Sequence, residues 1–177
     1  MKTVKHKEQR VAVFIDVQNL YYSARNLYQS KVNFGEILKQ AVAGRKLVRA
    51  FAYVVRTKTG EEQPFFDALI NLGIETRVRD LQEFFGGAKK ADWDVGIVID
   101  AIKTANSGVD VIILVSGDGD FVPLAEYLKN QGKKMEVIAF GKTAAAKLKE
   151  AADEFMDLEE QHGKYLLRDN KNKTNGI

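Results

Sequence analysis

Five short runs rich in apolar and β-branched residues punctuate the chain: VAVFID (11–16), LVRAFAYVV (47–55), IETRVRD (74–80), VDVIILVS (109–116) and MEVIAF (135–140). Between them, over roughly 18–28, 33–43, 61–72, 92–106 and 119–131, apolar residues fall three and four apart, which lines one face of a helix. A run such as VAVFID is continuously apolar rather than alternating, so it suits a strand buried on both faces. Strand alternating with helix requires right-handed crossovers and a mostly parallel sheet covered on both sides. The expected fold is therefore α/β, a three-layer α/β/α sandwich with a mostly parallel central sheet, and EFMDLEE (154–160) adds a last short strand. The breaks agree: Asn33 with Glu36 has the spacing of a capping box, Gly44, Gly73 and Gly132 stand where helices should stop, and Pro64 and Pro123 fall near helix starts.

A chain of 177 residues is long enough for one domain with a real core. It has no cysteine, which excludes disulfides, thiolate metal sites and cysteine nucleophiles and fits a reducing, cytoplasmic setting. The N-terminus MKTVKHKEQR lacks the apolar segment of a secretion signal, and no run approaches the ~18 apolar residues of a membrane span; no membrane partner is expected. The net charge of +3 sits at the ends: Lys2, Lys5, Lys7 and Arg10 stand against Glu8, and Lys164, Arg168, Lys171 and Lys173 against Asp169. The expected organisation is a basic tail over 1–10, one domain over 11–160 and a second basic tail over 161–177. Such tails are solvated termini or attachments to a polyanion.

Ligands of open parallel sheets bind beyond the carboxyl ends of the strands, and the acids fall there. Asp16 ends the first strand, Asp118 and Asp120 follow VDVIILVS, and Asp92 and Asp94 open the helix that leads into it. Each alone can be a helix cap. Asp92 looks most like one, whereas Asp94 lies further inside the helix, and capping accounts less easily for both acids of Gly117-Asp118-Gly119-Asp120. The adjacent glycines let backbone and ligand approach closely. Asp100 lies six residues beyond Asp94, about 240° round a helix, and belongs to a salt bridge or a supporting position. Two carboxylates ~4 Å apart repel by roughly 4 kcal/mol at an effective dielectric near 20, so convergence of four calls for cations, protons or basic neighbours. Hard oxygen donors without a paired histidine or a cysteine select magnesium or manganese. The chain has no G-x-x-x-x-G-K-[ST] phosphate loop, no G-x-S-x-G elbow and no G-x-G-x-x-G.

Three blocks, FIDVQNLYYSAR (14–25), KKADWDVGIVIDAI (89–102) and VSGDGDFVPLAEYLKNQGKKMEVIAF (115–140), resemble in order the signatures of the NYN domain in its LabA-like branch, part of the PIN-like nuclease superfamily. The resemblance spans about residues 10–160. It implies that Asp16, Asp94, Asp118 and Asp120 are catalytic and bind divalent metal. It further implies that Asn19 orients a ligand or a carboxylate, that Ser116 donates to a phosphate or a metal-bound water, and that Lys90 meets the scissile phosphate, although a solvated loop lysine is an equal reading of Lys90.

The activity so implied is metal-dependent hydrolysis of RNA by magnesium or manganese, with single-stranded RNA the expected partner. A basic rim should offset the acids, from Arg56, Lys58, Lys89, Lys90 and Lys142. Phe84 and Phe85, then Tyr21 and Tyr22, are candidates for stacking on bases, against core filling or a subunit contact; a homodimer is a further expectation, from exposed helical faces. The alternative is a non-catalytic regulatory or nucleic-acid-binding module with the same fold. Toprim-like and dehalogenase-like phosphotransferases fit less well, because the first strand ends in Asp16-Val17-Gln18, neither a glutamate nor D-x-D.

Overall fold

The structure, a computed structural model, describes residues 4–83, 85–87 and 92–167, and of residues 89 and 90 the strand alone. The first half of the chain runs β1 (Arg10–Asp16), α1 (Val17–Tyr28), β2 (Lys31–Val32), α2 (Phe34–Val42), β3 (Lys46–Arg56), α3 (Gln63–Asn71), β4 (Glu75–Asp80), β5 (Gln82–Glu83) and β6 (Lys89–Lys90). The second half runs α4 (Asp94–Ala105), β7 (Val111–Val115), a 3-10 turn (Gly119–Phe121), α5 (Val122–Asn130), β8 (Lys134–Ala139), α6 (Ala146–Ala151) and β9 (Glu154–Asp157). A second 3-10 turn (Leu158–Gln161), α7 (His162–Tyr165) and β10 (Leu166–Leu167) follow.

Six strands form one sheet in the order β4-β3-β1-β7-β8-β9, and every pairing in it is parallel. The chain builds outward from β1 to one side and then, at β7, starts again on the other. That reversal leaves a crevice at the carboxyl ends of β1 and β7, the switch point where open α/β sheets bind ligands.

Alternation along β1 shows why the strand is apolar throughout. Val11, Val13 and Ile15 pack against α1, α2 and α3 through Leu20, Ile37 and Leu69. Ala12 and Phe14 face the opposite way, toward α4 and α5 through Ile97, Ala101 and Leu128. Three layers result, and each large side chain so buried contributes roughly 1.5–3 kcal/mol.

Asn33 caps α2, its Oδ1 accepting the Glu36 N–H at 3.1 Å. Pro64 and Pro123 lie in the first turns of α3 and α5, where a missing N–H costs nothing. The helix expected over 119–131 begins instead as the 3-10 turn, and the strand expected over 154–160 gives way after Asp157 to another. Beyond residue 160 the chain still packs on the body. Tyr165 is buried beside α1 and α2, and β10 pairs antiparallel with β2. Among the described residues no helix is long and apolar enough to cross a membrane.

Candidate functional site

Asp16 closes β1 and starts α1. Its Oδ1 accepts the Asn19 N–H at 3.3 Å and its Oδ2 accepts the Ser116 hydroxyl at 2.9 Å. Asn19 ties the same helix to the loop after β7, its Oδ1 accepting the Gly117 N–H at 2.9 Å. The D-x-x-N spacing thus caps a helix and fixes the switch-point crevice with one set of bonds. Ser116 is fully buried. Its hydroxyl donates to Asp16, and its oxygen accepts the Asp118 N–H at 3.2 Å, so it ties the two acids' segments together.

The loop after β7 places the next two acids. Asp118 caps the 3-10 turn, its Oδ1 accepting the Asp120 N–H at 2.9 Å, and Asp120 is exposed. The glycines here serve packing. A Cβ on Gly117 would lie 2.9 Å from Ala144 Cα, and one on Gly119 would lie 3.1 Å from Ala145 Cβ. The expected close approach is therefore made by the 144–145 loop, held by the Ala145 N–H to Gly117 carbonyl bond at 2.9 Å.

The third segment is anchored by the single tryptophan. Trp93 donates its indole N–H to the Val54 carbonyl at 2.9 Å, meets Tyr53 edge to face at 5.4 Å, and rests on Gly96, where a Cβ would come within 2.7 Å of its ring. The start of α4 is thereby fixed to the end of β3. Asp92, one residue before the N-cap Trp93, accepts the Asp94 N–H on its Oδ1 at 2.7 Å. It nevertheless lines the same cleft of about 260 Å³ as Asp16, Asp94 and Asp118, together with Asn19 and Tyr22. Asp100 points elsewhere, accepting the Tyr53 hydroxyl at 2.8 Å and lying 3.6 Å from Arg77.

Asp94, Asp118 and Asp120 each bring one carboxylate oxygen to within 4.8 Å of the other two. Asp16 stands outside this trio but lines the cleft and is electrostatically coupled to it. Burial, then Asp118, Asp92, Asp16 and Asp120 in that order, push the Asp94 carboxyl up to about 7. Burial likewise raises Asp16, against the Ser116 and Asn19 hydrogen bonds that lower it. Carboxylates so placed keep a proton to higher pH than usual, and a bound cation would compete with it. Oxygen donors alone, crowded and partly desolvated, fit a divalent metal.

The rim residues are mixed. Arg56 pairs with Asp80 at 2.9 Å, Lys58 with Glu83 at 3.0 Å, and Lys142 lies 3.9 Å from Glu159; such exposed pairs are weak and exchangeable. The side chains of Lys89 and Lys90, Phe84, and the tail residues Lys2, Arg168, Lys171 and Lys173 lie outside the described residues. Phe85 is fully exposed, and Tyr22 is exposed within the cleft wall. Arg79, absent from the expected rim, donates to the Asp92 carbonyl and lies 4.2 Å over the Trp93 ring. The signal for it was the alternation in ETRVRD, which sets Arg77 and Arg79 on one face of β4.

A parallel α/β domain with a carboxylate cluster at its switch point is the class that this fold and site define. The chain belongs to the NYN domain family, whose model matches residues 10–159. It is 30% identical over 167 residues to the low amplitude and bright protein LabA of Synechococcus elongatus, covering 86% of this chain and 85% of that one. This places it in the LabA-like branch. It is also 27% identical to the uncharacterized protein MJ0482 of Methanocaldococcus jannaschii, covering 87% of this chain and 57% of that longer one. The crystal structure of VPA0982 from Vibrio parahaemolyticus, a protein of unknown function, superposes with a TM-score of 0.82 at 32% identity, over 93% of this chain and all of that one. The fold is thus of the PIN-like nuclease type, with an acidic cluster compatible with a divalent metal.

Proposed function

We propose that the protein is a divalent-metal-dependent ribonuclease. The observation that carries this reading is the convergence of carboxylates from three chain-distant segments, with Asp94, Asp118 and Asp120 oxygens inside 4.8 Å, in a cleft at the switch point of the sheet. Asp94, Asp118 and Asp120, with Asp16 beside them, hold the metal. When bound, magnesium or manganese supplies an activated water and neutralises charge on a phosphodiester. The chain's own part is positional. Ser116 and Asn19 keep Asp16 turned toward the cleft, Asp92 and Trp93 fix the start of α4, and Arg79 adds positive charge beside the acids. Arg56, Lys58, Lys90 and Lys142 supply the rim for a polyanion, and Tyr22 a face for a base.

Labelled single-stranded RNA, duplex RNA and DNA, incubated with the protein in magnesium, manganese or chelator beside Asp16→Asn and Asp118→Asn, test this. Cleavage of single-stranded RNA should need metal and be lost in both variants. Cleavage that survives chelation or both substitutions would falsify the assignment. Manganese binding at the acids without cleavage of any strand would turn the reading to a non-catalytic nucleic-acid-binding module.

A further inference from the structure

Beside the acid cleft lies a second, less polar pocket of about 350 Å³, bounded by α1, the end of β3, the start of α3 and Leu81. It shares the lining residues Gln18 and Tyr22 with the acid cleft, so the two adjoin. Its size falls in the lower part of the roughly 300–1,000 Å³ range of small-ligand sites. Tyr21, Tyr22, Phe65 and Phe66 give it aromatic walls. Tyr21 and Tyr22 are 46% and 53% exposed, and their rings meet edge to face at 5.4 Å; core filling does not account for them.

One polar group in the wall is incomplete. Glu62 Oε1 accepts the Thr57 hydroxyl at 2.6 Å and the Thr57 N–H at 3.3 Å, while its Oε2 is buried without a hydrogen-bond partner among the described residues. Acceptors in folded proteins are nearly always satisfied; Oε2 has no bond to lose, so a turn of the Glu62 carboxylate toward the pocket lets it take an N–H that a ligand brings. Arg56 and Lys58 flank Thr57 at the rim, each in an exposed ion pair that a phosphate can exchange. A flat apolar ring, with an N–H on its edge and phosphates on either side, is the chemistry all three features match.

We infer that this pocket receives one unpaired base of a single-stranded RNA whose phosphate lies at the acid cleft. The base stacks on the tyrosine wall, and its edge donates to Glu62. The inference rests on the nuclease reading for where the phosphate sits. It makes the preference for single strands a property of this pocket, because a paired base cannot enter it.

Binding tests this independently of turnover. The full chain is titrated, with calcium in place of magnesium, against a fluorescein-labelled RNA of about five nucleotides. The strand is offered intact, with one abasic position at each place in turn, and as a duplex. One abasic position should weaken binding by about tenfold, the order of one base stack, and the duplex should bind more weakly than the intact strand. Tyr21→Ala, and Leu81→Trp to fill the pocket, should weaken the intact strand by about tenfold and bind that abasic strand as the unchanged protein does. Circular dichroism checks that both variants fold, and the exposure of Tyr21 makes its truncation harmless to the core. Equal binding of the intact and every abasic strand, or equal binding by the parent and both variants, overturns the inference, as does failure of every strand to bind. Cleavage assayed in parallel separates the two claims. Base-dependent binding without cleavage upholds the pocket and removes hydrolysis, whereas cleavage with base-independent binding does the reverse.

Discussion

Two groups of acids sit on this sheet under opposite terms. Toward the amino end of β8, Glu136 is buried against Arg45, whose side chain is 0% exposed and whose two terminal nitrogens each lie 2.8 Å from one carboxylate oxygen. Arg45 also donates to the Ala41 and Val42 carbonyls, and Lys5 approaches Glu136 from outside. At the carboxyl end, Asp16 and, in part, Asp94 are also removed from water, but the charges that act on them are those of other carboxylates, and both are pushed toward holding protons. A fold that can answer a buried acid with a bidentate arginine at one end leaves a cluster unanswered at the other. The difference separates an acid that serves architecture from acids that serve a cation.

The comparison breaks most visibly if Glu136 is made to resemble the cluster. Arg45→Met strips that buried carboxylate of its bidentate partner and leaves it Lys5 at 3.9 Å, which should lower unfolding free energy in urea by up to about 3–5 kcal/mol, and manganese should not restore it. Changing Glu136→Met in the same chain should recover much of the loss. A smaller effect is expected from the scaffold of the unanswered acids. Gly117→Ala sets a Cβ against the Ala144 backbone at 2.9 Å and should destabilise by about 1–3 kcal/mol, and it should weaken manganese binding because Asp118 moves with the loop. Gly96→Ala is smaller again. Helix propensity favours it by about 1 kcal/mol, while its Cβ presses on Trp93 at 2.7 Å. Stability should change little, and the fluorescence of the single tryptophan should report the displaced ring; an unchanged spectrum would show that Trp93 does not set the start of α4.

The layers of this fold were legible because the central strands are apolar on both faces and the helices carry a 3.6-residue period, so each of 11–16, 47–55, 109–116 and 135–140 overlaps a strand within one to two residues at most ends. The two-residue strands β2, β5, β6 and β10 had no such signal, since their pairing is decided by neighbours far along the chain. α6 spans six residues, too few for a period to register. At the site, strand ends located the acids, but their partners were hidden. That Ser116 would spend its proton on Asp16, 100 residues away, or that Asp92 would both bond the start of α4 and line the cleft, depends on side-chain direction between segments far apart in the chain. Spacing within one block carries no such information.

The last contrast is in pH, and its sign follows from Asp94. Its carboxyl titrates near 7 in the folded chain against an ordinary value of 3.8, so between about pH 4 and 7 the native state binds more protons than the unfolded one. Stability therefore falls as pH rises through that window, and the loss is complete above it; Asp16 shifts in the same direction. In chelator, Asp94→Asn should melt above the parent at pH 8 and close to it at pH 4. With the shift discounted for the solvent-facing side of the carboxyl, the gap should be about 2–4 °C, equivalent to about 1 kcal/mol in a chain of this length. Manganese should raise the melting temperature of the parent more at pH 8 than at pH 5, because at the lower pH it competes with the proton on Asp94. The variant should lose most of that gain at both. Scanning calorimetry across the series reads all of these, and a parent protein whose melting temperature climbs from pH 5 to 8 relative to Asp94→Asn would place a hidden cation partner beside the cluster, making its acids like Glu136 after all.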